Sequence, residues 1–196
     1  MFLSNQNHQM KILVRAIAMC FLFYSCNSGD QTQTNEDTSS TNPSVNTQKV
    51  SEANSVEGIM DSYLKLKNAL ADDNGKDAAN AGNKVVAALK GLDKSRINAG
   101  KSQELSEITE NAVEHAEHIG ANAGNIEHQR EHFESLSQDI YDLVKITGSE
   151  KKLYYTHCPM YNDNKGANWL SETREIRNPY LGKEMLECGT IKEELN

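Results

Sequence analysis

Between residues 56 and 148, apolar side chains recur at three- and four-residue intervals in four successive blocks. This periodicity limits the fold more than any other feature of the chain, because it is the spacing of one face of an α-helix. Val56, Ile59, Tyr63, Leu66 and Leu70 make the first stripe, ended by "DDNG" at 72–75. Ala81, Val85, Ala88, Leu89 and Leu92 make the second, followed by a Gly- and Ser-bearing loop over 91–102. Leu105, Ile108, Ala112, Ala116 and Ile119 form the third, closed by "GANAGN". The fourth carries Ile126, Phe133, Leu136, Ile140, Leu143 and Val144; Asn125 is placed to cap its start and Gly148 to stop it. Four amphipathic helices joined by mostly short loops predict an up-down-up-down four-helix bundle over residues 55–148.

Past Gly148 the helical period is lost. "KLYYTHCPM" is rich in β-formers, "DNKGA" and "RNPYLG" carry turn residues, and "KEMLEC" has room for one helical turn. Residues 149–196 are expected to be a small loop-rich or β segment of the same domain, packed on the bundle because so short a piece has little core of its own. Trp169, Tyr180 and Leu181 are its natural apolar anchors.

The start of the chain is different again. Residues 1–25 contain no acid; Lys11 and Arg15 precede or interrupt a short apolar run that ends in "FYSC". The run is too short for a membrane span and fits an export signal. Ser25 directly before Cys26 predicts a lipoprotein signal peptide over 1–25, with Cys26 as the lipidated residue. Residues 26–54 have almost no large apolar side chain and are expected to be a disordered tether. The expected location is therefore the cell envelope, with the domain lipid-anchored at the outer membrane.

The formal charge is −8, and −10 without Lys11 and Arg15. No cluster of Lys and Arg offers a phosphate-binding surface, so a nucleic-acid partner is not expected. There is no Gly-rich phosphate loop, and no nucleophile elbow. Neighbouring His157 and Cys158 diverge in an extended chain and do not make a nucleophile–base pair. The chain does not read as an enzyme.

What remains is sulfur and imidazole. Cys158 and Met160 are two apart, on one face of an extended chain, with His157 on the other; Met185 and Cys188 are three apart, on one side of a helical turn. Two such pairs brought together offer two thiolates and two thioethers, a set that suits Cu(I) or Ag(I). The same two cysteines are also the natural partners of a Cys158–Cys188 disulfide in an exported protein, closing a loop of about 30 residues and stabilising by roughly 3–4 kcal/mol. Both readings stand at this point. On the helices, His115 and His118 are three apart and His128 and His132 four apart, each pair able to face one way. "HQREHF" is not a zincin motif, because its Glu is misplaced for a general base.

"HQREHFESLSQDIYDLVK" followed by "YYTHCPMYNDNKGANWLSETREIRNPYLGKEMLECG" resembles a domain of unknown function from exported Gram-negative proteins. That domain occurs as stand-alone lipoproteins and appended to membrane-fusion adaptor subunits of copper/silver efflux pumps. The resemblance runs over about residues 56–191, and Cys158, Pro159, Met160, Gly166, Trp169, Asn178, Pro179, Tyr180, Gly182, Met185, Cys188 and Gly189 fall on its pattern. "CPM" is also similar to a short heavy-metal-binding module with Tyr-x-Cys-Pro-Met, although the His-Pro that follows there is absent from "CPMYND". The resemblance implies an extracytoplasmic lipoprotein that binds heavy-metal ions, Cu(I) or Ag(I), for buffering or for delivery to a cation efflux adaptor or pump. Cys158, Met160, Met185 and Cys188 are the expected ligands, with His157 and His132 behind them. The alternative is a disulfide-stapled interaction domain without metal, in which Trp169 and Tyr180 meet a partner protein.

Overall fold

The structure is a computed structural model and describes residues 55–94 and 99–195. The expected signal peptide over 1–25, the expected lipidation at Cys26 and the expected tether over 26–54 lie outside the described residues. Four helices run α1 Val56–Ala71, α2 Gly75–Lys90, α3 Ser102–Ala121 and α4 Ile126–Thr147, followed by strands β1 Leu153–Cys158, β2 Ala167–Ser171 and β3 Thr190–Leu195. Each helix packs against the next, and the four buried stripes meet in one core. Among the described residues no helix is long and apolar enough to cross a membrane.

The helix ends follow the local chemistry. Ser55, Asn74 and Asn125 each accept a hydrogen bond from the amide three residues on, satisfying donors that the first turn leaves unpaired. Gly148, at φ +77°, ends α4 as expected of a residue without a Cβ.

The three strands form one antiparallel sheet in the order β2-β1-β3. The β1–β2 connection turns through Asn162, Asp163 and Asn164, all at positive φ, residue types that tolerate the left-handed region best after glycine. One sheet face meets the helices. Tyr155 stacks on Tyr141 of α4, and the Leu170 amide donates to the Tyr63 hydroxyl of α1, which also bonds Ser137 of α4 at 2.8 Å. A single buried phenol thus joins α1, α4 and β2. The other face carries Thr156, Cys158 and Trp169, in register across β1 and β2, and is covered by the returning chain: a Cβ added to Gly189 would lie 2.7 Å from Trp169 and 3.3 Å from Thr156.

Candidate functional site

Cys158 closes β1 and is fully buried; Cys188 lies thirty residues on, just before β3, and is partly exposed. Their Sγ atoms are 3.0 Å apart, in hydrogen-bond contact and not joined by a disulfide. The strand holds one thiol and a loop the other. That loop is fixed mainly by Asn178, which is completely buried. Its side-chain amide donates to the Cys188 carbonyl at 2.7 Å, and its oxygen accepts from the Tyr180 and Leu181 amides. Its own backbone amide reaches the Leu186 carbonyl. The Asn178-Pro179-Tyr180 motif is therefore the frame that presents Cys188 to Cys158.

Arg130 ties the frame to the bundle. Arg130 of α4 donates from Nε to the Pro179 carbonyl and from Nη2 to the Leu70 carbonyl and the Asp73 carboxylate. Burial alone would raise the Asp73 carboxyl, but hydrogen bonds from Arg130 and the Lys183 amide outweigh it and hold the group below the usual carboxylate range. Gly182, at φ +56°, sits so close that an added Cβ would fall 1.8 Å from Asp73 Oδ1.

The methionines reach the thiols differently from the sequence expectation. β1 ends at Cys158, and Met160 is already in the helical region of backbone space, so Cys158 and Met160 do not share a strand face. "KEMLEC" is not a helical turn either: a 3₁₀ turn covers Gly182–Glu184, and Met185 leaves it with extended φ. Both methionine backbones nevertheless touch Cys188. The Met160 amide donates to its thiol, and the Cys188 amide donates to the Met185 carbonyl at 3.0 Å. The two side chains stand at the surface, Met160 49% and Met185 41% exposed, the only large apolar ones so exposed among the described residues.

Burial and the hydrogen bond with Cys158 push the Cys188 thiol up to about 11, so it is a neutral thiol at physiological pH. An ion bound there must displace that proton. The donor set of two thiols in contact, with flexible thioethers on adjoining chain, fits a soft monovalent cation better than zinc, which has no use for methionine.

His157 and His132 do not join this set. His157 points from the opposite face of β1, where its Nδ1 bonds Asn168 Oδ1 at 2.9 Å across the β1–β2 pair. His132 belongs instead to a group of four imidazoles between α3 and α4. Its Nδ1 lies 3.1 Å from that of His115, and its ring lies 4.2 Å from His118 and 4.6 Å from His128, centre to centre. Burial, and then the neighbouring imidazoles, hold His132 below the ordinary histidine range. Sequence spacing located the two pairs but not their meeting. The signal was there: His115 and His132 each lie six residues from the ends that face the connecting turn, Ala121 and Ile126.

Trp169 and Tyr180 are also relocated. They are 1% and 2% exposed, pack edge to face, and Tyr180 further meets Phe133 of α4. They anchor the tail as the composition suggested, and present no surface to a partner protein.

The model of a family described as a protein of unknown function (DUF3347) matches residues 59–152. Over these residues, which take in all of the bundle but the first three residues of α1, the chain is similar to that family. The match stops one residue short of β1, so Cys158 and Cys188 lie beyond it. No curated protein and no solved structure matches the chain.

Proposed function

We propose that this protein is an extracytoplasmic lipoprotein that takes up a soft monovalent cation, Cu(I) or Ag(I), between Cys158 and Cys188, for buffering or for delivery to a cation efflux system. The observation that carries the reading is the 3.0 Å approach of two thiols from opposite ends of a thirty-residue segment, framed by buried Asn178. Soft sulfur prefers soft, polarisable ions. Met160 and Met185 supply thioethers at the exposed rim, where an ion arriving from a carrier or leaving for a pump is handed over. The export-like pattern of residues 1–25 and the resemblance to domains attached to copper/silver efflux adaptors support the setting.

The same approach favours a second state. In an oxidising compartment two such thiols close into a bridge, and a thiol reductant reopens it. The cysteines then form a redox-gated site that binds metal only when reduced. If the bridge never opens, the tail is a stapled structural element without metal.

Competition of the reduced protein with a Cu(I)-specific chelator tests the proposal. One equivalent of Cu(I) retained by wild type and surrendered by the Cys158→Ser, Cys188→Ser variant supports it. Equal retention by the two removes it. Thiol counts before and after treatment with glutathione distinguish the gated site from a permanent staple: glutathione opens the first and leaves the second intact.

A further inference from the structure

A second cluster of ligating side chains lies on the helices, independent of the sulfur pair. We propose that His118, His128 and His132 form a site for a borderline divalent cation of the Zn(II) class, with His115 positioning His132. Possible ligand atoms of the three all lie within 4.8 Å of one another. A tetrahedral ion with bonds of 2.0–2.1 Å to nitrogen needs them about 3.4 Å apart, so side-chain rotation on the order of an ångström closes the site.

The hydrogen bonds around the cluster favour this use. The Nδ1 of His132 is engaged by His115 at 3.1 Å, and that of His128 by the Glu131 carboxylate at 3.3 Å. Both rings are thereby left with Nε2 for an ion, and the Glu131 carboxylate on His128 is of the kind that orients metal-bound imidazoles. Glu131 also places a negative charge beside the cation. His118 is exposed, so the site opens to solvent and keeps a position for water or an exchangeable ligand. Neutral imidazole selects borderline ions, whereas the paired thiols select soft ones, so the two sites differ in the ion they take.

The test uses the full-length chain without a polyhistidine tag, carrying Cys158→Ser and Cys188→Ser so that the sulfur site plays no part. Zn(II) is titrated calorimetrically, and Co(II) by its visible absorption as a report on nitrogen ligation. The proposal expects one equivalent bound. His118→Ala, an exposed replacement that leaves the helices intact, should weaken binding at least tenfold; His128→Ala with His132→Ala should abolish it. His115→Ala should weaken it about tenfold, as loss of an orienting partner does. Failure of the histidine-intact protein to take up Zn(II), or uptake indifferent to these replacements, overturns the proposal. Either result leaves the Cu(I) reading of Cys158 and Cys188 untouched.

Discussion

The side-chain amide of Asn178 donates to the Cys188 carbonyl at 2.7 Å, so a residue ten positions away sets where the second thiol stands. Asn178→Ala leaves that carbonyl and the Tyr180 and Leu181 amides without their partner. Only the bond to the Tyr180 amide is fully buried, and its loss costs about 1–3 kcal/mol; the two partly exposed groups cost less because water can replace their partner, so a total of roughly 2–4 kcal/mol is expected in urea denaturation. Cys188 should also be alkylated faster at neutral pH than in wild type. A variant of full stability and unchanged thiol reactivity would deny Asn178 its framing role.

Gly182 should tolerate no side chain. Its φ of +56° is unfavourable to other residues, and an added Cβ would collide with Asp73 Oδ1 and with Arg130 Nη2 at 2.5 Å. Gly182→Ala has to break the Arg130–Asp73 pair or shift the loop, and should destabilise by about 2 kcal/mol or more. Gly124, in the α3–α4 turn, has nothing within 4 Å of an added Cβ. Gly124→Ala should stay within about 0.5 kcal/mol of wild type. Thermal melts of the two variants side by side decide the point.

Asp139 of α4 gives stability a dependence on pH. Burial and then the neighbouring Asp142 push its carboxyl up to about 7, and one of its oxygens is buried without a hydrogen-bond partner. Between the ordinary aspartate range and pH 7 the folded protein holds a proton that the unfolded chain releases. This contribution is complete at low pH and is lost as pH rises towards 7. Asp139→Asn should therefore raise the melting temperature at pH 8 and change it little at pH 4. An equal effect at both pH values would contradict the assignment.

How much of this was legible beforehand follows from the range of each interaction. The four stripes, the Asn125 cap and the Gly148 stop depend on neighbours within a turn or two, and the structure has all of them. The meeting of Cys158 and Cys188 was accessible because few cysteines were available to pair. The positions of Met160 and Met185 were not, since both depend on where a strand and a turn end. β3 also escaped notice: "TIKEEL" is polar, and all but its last residue are at least partly exposed, so its pairing with β1 is set by the rest of the fold. Periodicity marked His128 and His132 as one face and His115 and His118 as another. Only the antiparallel packing of α3 on α4 turns the two faces towards each other.

X-ray absorption at the copper edge of the reduced protein, loaded with one equivalent of Cu(I), tests the central claim most directly. A first shell of sulfur alone is predicted, collapsing in the Cys158→Ser, Cys188→Ser variant. A shell of nitrogen, placing copper on the imidazoles of α3 and α4, would contradict it.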